Sequence, residues 1–393
     1  MLPLHDADGQ TLPPIRVFTP DEYGADNQNW QITQGSEKFI YVANNRGLLE
    51  FNGADWNLYP SPNNTIIRCV KAIGNRIYTG CYMEFGYWVR NSYGRMEYTS
   101  LLPLMEENLK DDDQIWTIHE FNEWIVFQSS AKLYFFNPAT EKFRIVDPDR
   151  NIYRAFRTRN NIYFDVRNQG IYGLENGIPI LLIDDPEIRT KRVINIFDVG
   201  SELIILTIES GFYRIVGNRA VRWDIPANEI ISDGNTFCGL QLSDGSFVIG
   251  TIPNGIMHIN PEGNVDYHID QENGLSNNTA LSLFEDTDNN LWVGLDNGIN
   301  CINVSSPVQV FHDFDGLLGT VYTSEVFGGY LYLGTNQGLF YKEAGSNVPF
   351  RFIENTSGQV WDLYNYKDED LLCGHHLGTY IIEGGRATLI DET

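Results

Sequence analysis

The stretch Leu291-Trp292-Val293-Gly294-Leu295-Asp296-Asn297-Gly298-Ile299 decides the fold, because the chain repeats its pattern. A close copy reads Tyr330-Leu331-Tyr332-Leu333-Gly334-Thr335-Asn336-Gln337-Gly338-Leu339, and looser copies bring the total to nine. Each copy is a β-rich run ending in a small residue, then a two-residue turn, a glycine and a second β-rich run. That glycine stands at positions 47, 86, 170, 211, 255, 298, 338 and 378, and Lys132 takes its place in the third copy.

Successive markers are 38 to 46 residues apart. A period of about 40 residues in a chain of short strands indicates a β-propeller, since one four-stranded blade takes about that length. Asn-Gly and Asp-Gly turns between the runs are typical of antiparallel hairpins. The sequence therefore predicts an all-β fold of four-stranded antiparallel blades.

Nine copies exceed the roughly four to eight blades with which propellers usually close. The run Ile15–Phe18 supplies an additional outer strand, and Ser305-Ser306-Pro307 reads as a linker before a similar run, Val308–Phe311. We therefore expect residues 1–304 to form a seven-bladed ring closed by the N-terminal strand. Residues 305–393 would be the first two blades of a second, truncated propeller. A single larger ring and a nested pair are alternatives that the sequence does not separate.

The composition is globular but acidic, with a formal net charge of −25. Such a charge disfavours nucleic acid and anionic lipid as partners, because phosphate binding draws on clustered Lys and Arg. No apolar run reaches the roughly 18 residues of a membrane span, and Met1–Asp6 lacks the features of a signal peptide. Either the chain is cytosolic or a targeting segment is missing from it. The five cysteines show no metal-binding spacing, and we expect buried thiols.

When the nine copies are aligned on the glycine position (Lys132 in the third copy), the residues 15 to 18 positions before it form a polar column. This column falls at the start of each innermost strand. It comprises Gln31, Arg68, Thr117, Arg154, Asn195, Gly239, Ser282, Thr323 and Asp362. The preceding column is largely apolar: Trp30, Ile67, Trp116, Tyr153, Ile194, Cys238, Leu281, Tyr322 and Trp361. Strand alternation puts the two columns on opposite faces, so we expect the polar one to line the channel mouth and the other to pack between blades.

Arg68 and Arg154 are the best candidates for binding a small polar ligand, since arginine holds carboxylates and polyols through several hydrogen bonds. Gln31 and Asn195 are further candidates from the polar column, and Trp116 and Trp361 are weaker candidates for stacking on a sugar. Two alternatives compete with this interpretation. The column could be polar simply because the channel holds water, and the arginines could pair with acids such as Asp112 or Asp113.

The sequence predicts no catalytic residue, no cofactor and no metal site. The run Glu285–Asn290 has oxygen ligands at alternate positions, but it lacks the glycine and the distal Glu of an EF-hand and falls where the repeat needs a turn. The adjacent His375 and His376 point to opposite faces of a strand. We expect a non-enzymatic protein.

The runs Asn273–Asp286 and Asn290–Ile299 resemble the regulator-propeller repeat, which forms the extracytoplasmic sensor of hybrid two-component and related one-component bacterial regulators. The runs Tyr23–Ile32, Ala43–Gly53 and Met83–Trp88 are similar to the opening of the one-component type. The resemblance covers nearly the whole chain and is weakest in copies three to five.

In that family two seven-bladed propellers precede a triple-tyrosine domain, a membrane helix and an output module. The resemblance implies a periplasmic sensor of a carbohydrate or related small polar molecule that acts in signal transduction and transcription regulation. It also implies partners: the remaining propeller and triple-tyrosine domain of the full-length regulator, and a possible homodimer. A non-enzymatic scaffold in a surface or secretion complex is the alternative.

Overall fold

The computed structural model describes residues 11–231, 235–311, 313, 316–346 and 348–391. The first ten residues of the predicted domain 1–304 therefore lie outside the described part. By its internal contacts the described part of the chain divides into two compact units, one within residues 15–305 and a second that consists of residues 11–14 and the described residues after 305. Residues 11–14, which the sequence-based boundary placed with the ring, thus belong to the second unit.

In the larger unit, the described residues form seven four-stranded antiparallel sheets. After the N-terminal strand β2 (Ile15–Phe18), six sheets each comprise four consecutive strands. They are β3 Asn29–Gln34, β4 Ile40–Asn44, β5 Gly47–Phe51, β6 Trp56–Pro60; β7 Cys69–Ile73, β8 Arg76–Cys81, β9 Glu84–Arg90, β10 Met96–Ser100; β11 Ile115–Phe121, β12 Trp124–Ser129, β13 Leu133–Asn137, β14 Lys142–Val146; β15 Ile152–Arg157, β16 Ile162–Val166, β17 Gly170–Glu175, β18 Ile178–Ile183; β19 Val193–Val199, β20 Glu202–Thr207, β21 Gly211–Val216, β22 Arg219–Arg222; β23 Thr236–Gln241, β24 Phe247–Thr251, β25 Ile256–Ile259, β26 Val265–Ile269.

The seventh sheet joins the two ends of this unit. It consists of β27 (Ala280–Glu285), β28 (Leu291–Leu295) and β29 (Ile299–Ile302), with β2 antiparallel to β29 in the register Ile15↔Ile302 to Phe18↔Ile299. Neighbouring innermost strands contact one another around the unit, and β27 contacts β3. The sheets thus form a closed ring of seven blades, which we number 1 to 7 from β3. The predicted propeller class, a seven-bladed ring with further repeats, is confirmed.

The repeat motif is explained by close packing at its small residues. Gly298 has a φ of +100°, a left-handed conformation that favours glycine, and an added Cβ would lie 2.6 Å from Ser276 Oγ. A Cβ on Gly294 would collide with the backbone of Asn29 in the next blade. The motif glycines therefore serve the turn and the packing of adjacent blades.

Trp292 belongs to the core at the closure of the ring. It is only 5% exposed, stacks on Phe18 with the ring centroids 5.7 Å apart, and donates its indole N–H to Asp286 Oδ2 at 2.8 Å. Phe51 and Trp56 of blade 1 complete this aromatic cluster. Strand pairing by β2 and aromatic packing thus act together where the ring closes.

Helical elements are short in the described residues: α1 (Pro20–Tyr23), α2 (Pro186–Arg189), α3 (Ala227–Ile231) and a 3-10 turn at Leu102–Leu104. None of these described helices has the length and apolar character needed to cross a membrane. The cysteines are free thiols, as expected; Cys69, Cys81, Cys238 and Cys373 are buried and Cys301 is half-buried.

The second unit contains two further four-stranded sheets and one short pair, β1 (Thr11–Leu12) with β30 (Val310–Phe311). The sheets are β31 Val321–Phe327, β32 Tyr330–Thr335, β33 Leu339–Glu343, β34 Arg351–Phe352; and β35 Val360–Tyr366, β36 Asp370–His375, β37 Gly378–Glu383, β38 Arg386–Asp391. Leu339, Val360 and Leu371 lie at the centre of the apolar core that joins them.

Candidate functional site

A β-bulge opens six of the seven innermost strands in the described ring, and β7 of blade 2 is the exception. In β3, for example, Asn29 pairs with Asn44 and Gln31 with Ala43, so that Trp30 has no partner opposite it. The same shift skips Trp116 in β11 and Ile194 in β19. A bulge frees the extra residue from the ladder and re-aims its side chain. These residues therefore lie at one end of the ring, where the innermost strands begin.

The strand registers correct the predicted columns in blades 2 and 6. Gly86 lies inside β9 opposite Thr79, and Glu84 occupies the turn position that Gly47 holds in blade 1. Gly86 is therefore not the equivalent of Gly47, and the predicted columns are shifted in blade 2. The residue equivalent to Trp30 is Arg68 rather than Ile67. In blade 6 a longer turn before Gly255 has the same effect, so that Cys238 rather than Gly239 aligns with Gln31.

Arg68 is held between tryptophans of the two neighbouring blades. Its Cζ lies 3.9 Å from the ring centroid of Trp30 and 5.7 Å from that of Trp116. Trp30 is fixed in turn by a 2.7 Å hydrogen bond from its indole N–H to Asn45 Oδ1. Cation–π attraction of this kind orders a guanidinium without neutralising it. We call Trp30, Arg68 and Trp116 the mouth triad.

Within the described residues, Trp116 and Arg68 of the mouth triad have groups that no other residue engages. Trp116 is 44% exposed, which corrects the expectation that it packs between blades. The Nε of Arg68 is buried without a hydrogen-bond partner, and burial lowers the pKa of Arg68. The triad thus offers an aromatic face beside a cationic donor, a combination suited to the apolar face and the hydroxyls of a sugar ring.

The other polar candidates in the ring bind the backbone of the next blade. Gln31 Oε1 accepts from the N–H of Val70 at 3.0 Å, Asn195 Nδ2 donates to Gly239 O at 2.9 Å, and Arg154 Nη1 donates to Ile194 O at 3.4 Å. These bonds satisfy the free edge of each innermost strand. The structure therefore gives Gln31 and Asn195 a role in joining blades, while Arg154 has four further donor hydrogens.

The channel that these strands enclose is rich in cationic side chains. Burial lowers the pKa of Lys71, and burial followed by the charge of Lys71 lowers the pKa of His119 to about 4. Burial also lowers the pKa of Arg154. Neither Arg68 nor Arg154 forms a salt bridge with any residue in the described ranges, so the alternative pairing with Asp112 or Asp113 is not found.

Trp361, the remaining candidate, belongs to the second unit. It is 52% exposed and stacks on Tyr322, with the ring centroids 5.0 Å apart. It is therefore not part of the mouth triad.

The run Glu285–Asn290 forms a turn around one carboxylate. Asp286 Oδ1 accepts the backbone N–H groups of Asp288 and Asn290, both at 2.9 Å, and its Oδ2 accepts from Trp292. The carboxylate is thus engaged by donors from the protein. No group of three or more His, Cys, Asp or Glu side chains that could hold a metal ion occurs among the residues with a described position.

Solved structures with this architecture include two bacterial extracellular domains. The extracellular domain of BT3049, assigned as a hybrid two-component system of B. thetaiotaomicron, is similar over 97% of this chain, with 18% identity and a TM-score of 0.71. The extracellular domain of BT4673, assigned as a one-component system of the same organism, is similar over 97% of this chain, with 19% identity and a TM-score of 0.58. This chain spans about half the length of these domains, 55% and 53%.

The virginiamycin B lyase of Staphylococcus aureus is similar over 73% of this chain and 98% of its own, with 13% identity and a TM-score of 0.59. At these identities the similarities establish the propeller fold. No protein-family model and no curated protein matches the sequence.

Sequence reasoning missed Lys71 and His119 as channel residues, because each lies about two residues further along its strand than the polar column. It also missed the pairing of Arg68 with Trp30 and Trp116. The signal was present, since the three residues hold equivalent positions once the register of the first two strands, rather than the glycine, is used to align the blades.

Proposed function

We propose that the ring is a periplasmic ligand-sensing domain of a bacterial signal-transduction regulator and that it responds to a carbohydrate or related small polar molecule. The mouth triad is the observation that carries this proposal. It places an exposed indole beside a guanidinium that has no acidic partner in the described residues, and such pairs suit sugars. The resemblance of the repeats to regulator propellers and the fold shared with the extracellular domains of a two-component and a one-component system support the same role.

The second unit supports a larger assembly. Tyr322, Val326, Trp361 and Tyr364 on its two innermost strands are all more than two-fifths exposed. Exposed aromatic residues on strands that pack inward elsewhere indicate a surface that further protein covers. We infer that this unit begins a second propeller and that the remaining blades, the triple-tyrosine domain of a full-length regulator or a second copy of the chain would cover it.

Isothermal titration of the 393-residue chain against a panel of neutral and acidic glycans tests the sensing role. We expect at least one glycan to bind, and Arg68→Gln to weaken it roughly tenfold or more, since a hydrogen bond to a charged group is worth about 1.5–3 kcal/mol. Trp116→Ala should also weaken it, because it removes the aromatic face on which the sugar would stack. Arg219→Gln is the matched control, because Arg219 is exposed on the outer strand β22 of the ring.

The alternative is a scaffold in a surface or secretion complex, and the exposed aromatic strands of the second unit are the observation in its favour. A scaffold would bind no glycan, and its association with partners would depend on Trp361 and Tyr364 rather than on the mouth triad. Absence of binding across the panel would therefore refute sensing of carbohydrates and favour the scaffold. No catalytic role is proposed. Unchanged glycans after prolonged incubation are the expected result, and released products would contradict it.

A further inference from the structure

A cleft of about 610 Å³ opens between blades 4 and 5 of the ring. Tyr153 of β15 and Asp165 of β16 contribute to one wall, together with the turn at Arg167 and Asn168. The segment Arg189–Arg192 before β19 and the turn Ile208–Ser210 form the other wall. This volume lies within the range of roughly 300–1,000 Å³ that is usual for small-molecule sites.

The walls of this cleft are cationic although the protein is strongly acidic. Four lining side chains are basic (Arg167, Arg189, Lys191 and Arg192), whereas two are acidic (Asp165 and Glu209). The formal net charge of the whole chain is −25. Because basic side chains that line a concave surface raise the local potential, the cleft favours an anion more than the net charge of the chain suggests.

Among the described residues, two of the four basic side chains form ion pairs with neighbouring acids, and the other two do not. Arg189 forms an ion pair with Asp184, and Lys191 lies 3.9 Å from Glu187 and donates to Ser210 Oγ at 3.0 Å. Arg167 and Arg192 form no side-chain hydrogen bond or ion pair within the described part of the chain. Both are exposed and available to a ligand.

Arg192 is nevertheless ordered. Its Cζ lies 4.1 Å from the ring centroid of Tyr153, which is the bulge residue of blade 4. A guanidinium stacked on an aromatic ring loses less freedom when it binds, and its in-plane donors stay available for a bidentate contact with a carboxylate. The contact therefore prepares the cleft for an anion.

Asp165 lies in the same cleft and is only 4% exposed. The backbone N–H of Val193 donates to its Oδ2 at 3.4 Å. Burial raises the pKa of Asp165 to about 7, so near neutral pH its carboxyl opposes an anion less than an ordinary aspartate would. It can also hydrogen-bond a sugar hydroxyl, as can Asn168 and Ser210.

We propose that this cleft binds an acidic saccharide, with the carboxylate of a uronic acid on Arg167 and Arg192 and its hydroxyls on the polar groups around them. The choice of a saccharide rests on the sensing role proposed above, whereas the recognition of an anion rests on the cleft alone. The size of the cleft suits one or two sugar rings.

The test is isothermal titration of the whole chain at pH 7.5 and fixed ionic strength. The probes are the disaccharides of galacturonic, glucuronic, mannuronic and guluronic acid, together with neutral galactobiose and inorganic sulfate. We expect at least one uronate to bind at least tenfold more tightly than galactobiose. The double variant Arg167→Gln/Arg192→Gln should weaken it roughly 100-fold or more, since each charged hydrogen bond accounts for roughly 10- to 100-fold.

Arg46→Gln, which removes an exposed arginine of blade 1, is the control and should bind like the wild type. Unchanged uronate affinity in the double variant, or no uronate binding at all, would overturn the proposal. Sulfate could bind as tightly as the best uronate and be weakened equally by the double variant. The cleft would then be a general anion site, and the proposal that it binds a saccharide would be wrong. Uronate binding that is lost in Arg68→Gln but kept in the double variant would retain the sensing role while refuting this cleft.

Discussion

Asp165→Asn is expected to stabilise the protein at alkaline pH. The folded protein holds the proton of Asp165 up to about pH 7, because burial outweighs the lowering effects of the Val193 N–H group and Arg192. The unfolded chain releases that proton near the ordinary aspartate pKa of 3.8. Between these values the folded state binds more protons than the unfolded state, so this group makes stability fall as pH rises.

The size of the effect follows from the difference between the two pKa values. A rise from 3.8 to about 7 is roughly three units, and at about 1.36 kcal/mol per unit it costs the folded state about 4 kcal/mol once Asp165 is ionised. Asparagine carries no charge at any of these pH values and keeps an oxygen for the N–H of Val193. The difference in unfolding free energy between the variant and the wild type should therefore increase in favour of the variant as pH rises, by up to about 4 kcal/mol at pH 8.

Urea unfolding of both proteins at pH 5, 6, 7 and 8, followed by tryptophan fluorescence, measures this gain. Subtracting one free energy of unfolding from the other cancels the titration of groups that the two proteins share. Arg46→Gln serves as a control whose difference from the wild type should not follow the same curve. The reasoning fails if the advantage of Asp165→Asn stays constant from pH 5 to pH 8, or if asparagine is the less stable residue at pH 8.

Three further predictions concern the ring. Trp292→Ala should cost about 3–5 kcal/mol of unfolding free energy through loss of its buried ring, as urea titration would show, and loss of ligand response at an unchanged melting temperature would contradict its structural role. Gly298→Ala should cost on the order of 1–3 kcal/mol of unfolding free energy because of its left-handed φ of +100°. Gly53→Ala is the control, because Gly53 has the same φ but open space around it. Its cost in the same assay therefore measures backbone strain without a steric clash. Arg154→Ala should weaken binding of the sensed glycan roughly 10- to 100-fold in isothermal titration while the fold survives; unchanged affinity in both Arg154→Ala and Arg68→Ala would move the site away from the mouth.

Much of the fold could be predicted because its repeat depends on local chemistry. The run around Trp292 combines strand formers, a small residue for blade contact and a turn glycine, and each requirement recurs once per blade. The alignment of the repeats was wrong in blade 2, where the glycine is required for close packing of two strands rather than for a turn. Gly86 lies under β10, where an added Cβ would collide with Thr99 O, so it marks a close approach rather than a turn.

The candidate site was less predictable because it depends on which blades are neighbours and on where the bulges fall. Arg68 was found as a charged residue near the mouth, but its place between Trp30 and Trp116 required the strand register of blades 1 to 3. The cleft between blades 4 and 5 joins residues from 153 to 210 of the sequence. No single motif contains Tyr153, Asp165 and Arg192 together.

Net charge shows why composition alone could mislead about the ligand. A value of −25 argues against nucleic acid because that partner contacts a broad surface, over which the many carboxylates act together. A small ligand instead experiences the few groups within about a Debye length, roughly 8–10 Å. Within the cleft those groups are mainly cationic, and in the channel Lys71 and Arg154 have the same sign. An acidic exterior around cationic recesses therefore disfavours large polyanions while leaving room for a small anion, which is the selectivity that a sensor of acidic sugars requires.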